Sequence, residues 1–173
     1  MIWGMIAKDF KSDLFFMEKS ITKEYYKEKI IDSDVITKAM EVIGEDFIFQ
    51  QDGATSHTSN LAVNSIRKHC KIMNYWPANS PDLNVIELLW VIIKKRIDMK
   101  KPETIEELKR VITEVWDELG YSTINGLVDD FPRRCFLVLK NNGENIQRFI
   151  KGGKLAPVTD EEITNLISEL QSK

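Results

Sequence analysis

Two acidic residues have the type and spacing to hold a divalent cation between them. Asp52 follows the short apolar run FIFQQ, at residues 47–51, and Glu87 follows Asn84-Val-Ile, with 34 residues between the two acids. An acid at the carboxyl end of a buried strand sits where α/β folds gather ligand-binding groups. A second acid on the first turn of an apolar helix can be returned to the same strand mouth if a helix, a strand and a loop lie between them. Two carboxylates brought together repel unless a cation sits between them. Magnesium suits such a pair, because it prefers carboxylate and water oxygens. Two such ions activate a water and stabilise a leaving oxygen in phosphoryl transfer.

Each acid also has a structural reading. Asp52 precedes Gly53 and is a natural turn residue. Glu87 lies three residues after Asn84, the spacing of an N-cap and its reciprocal partner. His57 reads alone as a loop histidine, Trp76 and Trp90 as core, and Arg133-Arg134 as a solvated pair.

The elements around these residues follow from periodicity. Residues 1–7 read as a strand and 12–19 as its antiparallel partner, with residues 9–13 as the turn. Residues 22–43 carry apolar positions at helical spacing, with a break expected at Asp32-Ser33-Asp34 and a stop at Gly44. Residues 47–51 read as a buried strand. Leu61, Ile66 and Cys70 mark a helix that Ser56, Thr58 or Ser59 caps, and residues 71–76 read as another strand. Strand, helix, strand in that order predicts a parallel pair with a right-handed crossover. Pro77 to Pro81 form a rigid loop. The helix beyond Asn84 is apolar on nearly every side over residues 88–93, which predicts burial, and Lys94, Lys95 and Arg96 suit its carboxyl end. A further helix runs from Pro102 to Gly120, and helical sequence continues to Leu139 with a break at Pro132. The tail beyond Asn141, with Gly143, Gly152, Gly153 and Pro157, reads as loop until a short amphipathic helix over residues 161–170.

Composition sets the outer limits. The chain has 173 residues, 43% hydrophobic and 29% charged, ordinary values for a globular domain. A formal net charge of −3 lacks the basic excess of a stand-alone nucleic-acid-binding domain. Cys70 and Cys135, without a CxxC, and His57 and His69 make no zinc pattern and read as core thiols of a reducing compartment. No apolar run approaches the ~20 residues that span a bilayer, and no signal peptide is evident, so the expected setting is intracellular.

Three stretches carry a resemblance. FIFQQDGATSHTS, YWPANSPDLNVIELLWVIIKKRI and FPRRCFLVLKNNG resemble the mariner-type (Tc/mariner superfamily) DDE transposases, over most of the chain from Trp3-Gly4 to Gly143. The resemblance implies an α/β, ribonuclease H-like mixed sheet flanked by helices, over residues 1–143, with residues 144–173 as a carboxy-terminal tail. It implies that Asp52 and Glu87 are the second and third of three catalytic, metal-binding carboxylates. Asp82 and Asn84 would shape the loop that presents Glu87, and Arg133-Arg134 are candidate nucleic-acid contacts. The first acid of such proteins lies on a strand before the Trp-Gly strand, and a helix-turn-helix region lies at their amino terminus. Neither has a counterpart here, since Asp9 and Asp13 read as hairpin-turn residues. The first, central strand is therefore expected to be missing. Val85, Gly53 and Thr55-Ser56 also depart from the usual Pro, Asn and paired prolines.

The expectation is an amino-terminally truncated DDE transposase, catalytically inactive, binding magnesium or manganese weakly. DNA is the partner implied for the intact family, a homodimer is possible, and the location is nuclear if the source is a eukaryote. The alternatives are a non-catalytic nucleic-acid-binding or dimerisation module, with Lys94, Lys95, Arg96, Arg133, Arg134 and Lys140 as its basic surface, and a longer reading frame that supplies the first acid.

Overall fold

The computed structural model describes residues 1–18, 20–78, 80–146, 150–151 and 154–171. It is a mixed α/β arrangement of short strands and helices. The opening hairpin is present but divided. β1 (Ile2–Trp3) pairs antiparallel with β4 (Phe15–Phe16), and β2 (Ile6–Ala7) with β3 (Phe10–Lys11). The turn is tighter than expected, only Lys8 and Asp9. Asp9 takes φ 58°, a left-handed conformation that Asp tolerates, and exchanges side-chain and backbone hydrogen bonds with Asn125. Between the two ladders Ser12 takes over. Its backbone N–H donates to the Met5 carbonyl, and its Oγ accepts from the Met5 N–H at 2.8 Å. Gly4 sits beside this interruption because a Cβ there would lie 3.1 Å from the Trp116 ring and 3.2 Å from Leu14. Of the expected second arm, Lys19 lies outside the described residues.

The chain then forms α1 (Lys23–Tyr26), a π-helical turn (Lys27–Ile31) and α2 (Val35–Ile43). Thr22 caps the first by accepting from the Tyr25 N–H, and Gly44, at φ 86°, ends the last. β5 (Ile48–Phe49) and β6 (Lys71–Ile72) pair in parallel across α3 (Thr55–Thr58) and α4 (Asn60–Ile66), which is the strand-helix-strand unit read from periodicity. Of the three candidate caps, Ser59 serves α4, its Oγ accepting from the Ala62 N–H.

α5 (Val85–Lys100) packs against α6 (Ile105–Asp117) and α7 (Tyr121–Asp129), and α8 (Phe131–Lys140) follows. The expectation that α5 is buried all round is corrected. Leu89 and Ile93 are buried while Val91 is 53% exposed, so one face alone packs and the other meets solvent. Beyond α8 the tail forms β7 (Ile150–Lys151), β8 (Lys154–Leu155) and α9 (Asp160–Gln171), more structure than the loop expected before the last helix. Gly152 and Gly153 lie outside the described residues.

Three apolar clusters make the core. One joins the hairpin, α1, α2, α4 and β5 around Tyr26, Ile30 and Ile36. A second joins α5, α6 and α7 around Leu89, Val115 and Trp116, with Trp90 and Trp116 stacked at 5.6 Å. The third lays the tail on α8 through Phe136, Leu137, Ile146 and Leu155. The first two are stitched by polar contacts. The Trp116 indole donates to the Ser12 carbonyl at 2.8 Å. The Lys11 ammonium reaches the carbonyls of Trp116, Asp117 and Leu119, a cation on the negative end of α6.

Candidate active site

A cavity of about 950 Å³ opens between the hairpin and the parallel pair. Residues 1–8 form one wall and residues 47–52 the other, and α5 closes one end through Asn84, Glu87 and Trp90. Among the described residues β1 pairs only with β4, and β5 only with β6. The hairpin and β5 therefore face one another across the cavity without pairing. The amide nitrogen of the Gln50 side chain, on the cavity wall, is buried without a hydrogen-bond partner among the described residues.

Asp52 reaches this cavity from the end of β5. Its Oδ1 accepts from the Ala54 N–H at 3.1 Å and lies 2.6 Å from Nδ1 of His57. A carboxylate is an acceptor, so Nδ1 is the donor of the pair. The contact to Ala54 is the turn role expected of an Asp before a Gly. It occupies one oxygen only, and Oδ2 makes no hydrogen bond among the described residues. His57 is held in turn. Its ring lies 4.4 Å from that of Tyr26, and its carbonyl accepts from Nε2 of Gln51 at 2.8 Å. Tyr26 is fully buried and donates its hydroxyl proton to Oε1 of Gln51 at 3.0 Å. Burial, and then the nearby Asp52, push that hydroxyl above the usual tyrosine range, so it stays a neutral donor.

Glu87 enters from α5. The reciprocal cap that would give it a purely local role does not form. Asn84 precedes the helix without a side-chain capping bond, and the Glu87 N–H donates to the Asn84 carbonyl at 3.0 Å. The Glu87 carboxylate makes no hydrogen bond or ion pair among the described residues and is exposed on the cavity lining. The loop that launches α5 is fastened from behind. Leu83 and Asn84 N–H groups donate to the Ser80 carbonyl. The Asp82 carboxylate accepts from the Ile146 N–H at 3.2 Å, and the Asp82 carbonyl accepts from the Arg134 guanidinium at 3.1 Å. Asn79 of this loop lies outside the described residues.

Asp52 and Glu87 both line this cavity, and neither arginine of the Arg133-Arg134 pair does. Arg134 is 6% exposed, its reach spent on the Asp82 loop. Arg133 is partly exposed and donates to the Asp130 carboxylate at 3.0 Å and the Ala156 carbonyl at 2.8 Å. Tyr26 was legible only as an apolar position of its helix, since a tyrosine there carries no mark of its distant polar partners. His57 carried a faint one, its position shortly after Asp52.

Among the described residues no group of three or more His, Cys, Asp or Glu side chains is gathered as for a metal ion. Asp52 and Glu87 supply hard oxygen donors, the chemistry that magnesium and manganese accept. The arrangement fits part of such a site, with two carboxylates present.

Comparison with known proteins agrees with this geometry. A family model described as DDE superfamily endonuclease matches residues 3–109, more than half of the chain. The chain is 32% identical over 145 residues to the transposable element Tc1 transposase of Caenorhabditis elegans, covering 83% of this chain and 52% of that protein. It is 29% identical over 143 residues to the transposable element Tcb2 transposase of Caenorhabditis briggsae, with the same coverage of 83% and 52%. Over 152 residues it is 29% identical to the transposable element Tc3 transposase of C. elegans, covering 84% of this chain and 45% of that protein. The chain spans about half the length of the curated relatives it matches. With a family match over more than half of its length, the chain belongs to the DDE superfamily endonucleases, and it is similar to the Tc1, Tcb2 and Tc3 transposases.

Proposed function

We propose that this chain is part of a DDE transposase, and that Asp52 and Glu87 are two of the carboxylates that hold magnesium or manganese for phosphodiester cleavage and joining. The observation that carries the proposal is the shared cavity. An acid from a strand end and an acid from a helix start, with 34 residues between them, open on one space, and each keeps oxygen atoms unused. Bound there, the cation would stabilise developing charge on the phosphate oxygens and activate the attacking hydroxyl. Asp52 would offer Oδ2 while Oδ1 stays tied to Ala54 and His57. Glu87, free of local partners, would close the other side, its direction set by the Asp82 loop.

The ribonuclease H-like reading places the first, central strand in the gap between β1-β2 and β5. Unpaired walls, the cavity between them and the unpartnered Gln50 amide support it. That strand would bring the first acid. With two carboxylates, the chain of 173 residues binds the cation weakly and is catalytically inactive. DNA is its partner in a complete transposase, and the nucleus its place if the source is a eukaryote. Among the described residues no helix is long and apolar enough to cross a membrane. Of the arginine pair we keep Arg133 as a phosphate contact and assign Arg134 a supporting part behind the Asp82 loop.

A second reading, a nucleic-acid-binding or dimerising module without catalysis, draws on Lys94, Lys95 and Arg96. Along α5 these three make no ion pair among the described residues.

Nicking of supercoiled plasmid with manganese tests the proposal, with Glu87→Ala as control. No turnover is expected, because one ion lacks a ligand and a misplacement of about an ångström costs roughly a hundredfold. Nicking that depends on Glu87 would show that another residue completes the acid set, and would overturn the incomplete-site account.

A further inference from the structure

We infer that His57 is a positioning residue for Asp52: with the Ala54 amide it ties down Oδ1, so that Oδ2 is presented to a divalent cation as a single, fixed ligand atom. This rests on the metal-site reading above and adds to it the residue that aims the ligand.

Several contacts separate this pair from an ordinary surface ion pair, which is worth little. The His57 side chain is only 15% exposed although Asp52 is 48% exposed. His57 is held at three points, two on its ring and one on its backbone. Its ring packs against the Tyr26 ring at 4.4 Å, its carbonyl takes the Gln51 amide at 2.8 Å, and Nδ1 meets Asp52 at 2.6 Å. Gln51 is fixed at its other end by the buried Tyr26 hydroxyl at 3.0 Å. A chain of contacts therefore runs from the core of the first apolar cluster, through Tyr26 and Gln51, to His57 and then to the carboxylate.

Its physical effect is on rotation. An Asp at a strand end can swing both oxygens about its terminal torsion, which is broad. Two donors on one oxygen remove that freedom before any cation arrives. Ordering that would otherwise be imposed on binding is already in place, and partners of this kind hold metal-ligating carboxylates in known sites. The donor must be Nδ1, because Nδ1 is the ring atom at the carboxylate. An Asn side chain can put an N–H near the position of Nδ1, whereas a Gln reaches the position of Nε2, on the far side of the ring.

The test is a manganese titration followed by water-proton relaxation, on the wild type and on His57→Ala, His57→Asn and His57→Gln, each checked by thermal melting. His57→Ala and His57→Gln are expected to bind about tenfold more weakly or worse, with His57→Asn close to the wild type. In ¹⁵N spectra of the metal-free wild type, the His57 proton should reside on Nδ1, and Asp52→Asn should shift that signal. Unchanged affinity in His57→Ala overturns this role and leaves the metal-site reading standing. Equal weakening in the Asn and Ala variants overturns it as well, since His57 would then act by packing alone. Absence of manganese binding in the wild type overturns the metal-site reading, and this role with it.

Discussion

At Asp52 the bland reading holds and leaves room for the proposed chemical one. The turn contact to Ala54 and the His57 contact use Oδ1, and Oδ2 is left over. Glu87 is the opposite case, since its bland reading as a reciprocal cap fails outright. Sequence spacing alone could not separate these outcomes, because an Asn three residues before a Glu is compatible with a cap whether or not the side chain turns back. Of the two cysteines read as core thiols, Cys70 was legible and Cys135 is only half-buried. Cys70 is a buried core thiol, and burial pushes it from 9.0 up to about 11. The sign follows directly. A raised folded value keeps the thiol neutral in the native protein, so its contribution to stability is whole below pH 9.0 and is lost as the pH climbs towards about 11. At pH 8 the native thiolate population should be about a hundredfold below that of the unfolded chain. In a Cys135→Ser background, alkylation by iodoacetamide should be correspondingly slow until denaturant is added. Equal rates with and without denaturant would refute the buried-thiol assignment.

At the scale of elements, helices α2, α5 and α6 and the parallel pair were legible because each carries its own period and punctuation. Gly44 and Gly120 stand at or near the helix ends they were read to mark, while α6 starts after Thr104 rather than at Pro102. What escaped is what distant chain imposes. The hairpin breaks at Gly4-Met5 because Trp116, more than a hundred residues on, occupies the space beside Gly4 and takes the Ser12 carbonyl. The tail folds onto α8 because Ile146 and Leu155 find Phe136 and Leu137 there. Arg134 belongs to the same class. It read as solvated, yet it lies inside, holding the Asp82 carbonyl while Ile146 holds the Asp82 carboxylate. Arg134→Met should therefore cost about 1.5–3 kcal/mol, the range for a hydrogen bond to a charged group, measured by urea denaturation. Arg134→Lys should recover only part of it, since an ammonium lacks the planar fork. A loss under about 0.5 kcal/mol, the usual scale of surface substitutions, would return Arg134 to the surface.

For the whole molecule, the question is how two walls that do not pair enclose the acids. The hairpin, β5 and the start of α5 converge on one cavity, and both acids line it while remaining exposed. The resemblance implied this convergence from three stretches of sequence, while composition, with its acidic balance, pointed away from a DNA partner. Composition averages over the surface, but a metal site depends on a few residues at one place. The most direct test of the central claim, that Asp52 and Glu87 share one cation, is paramagnetic broadening. Substoichiometric manganese is added to the ¹⁵N-labelled chain and amide signals are followed. The account predicts that signals of residues 51–54 and 85–88 fade together, at the same manganese concentration, and that Asp52→Asn or Glu87→Gln protects both groups. Fading confined to one group, or fading of residues 85–88 that persists in Asp52→Asn, would contradict it.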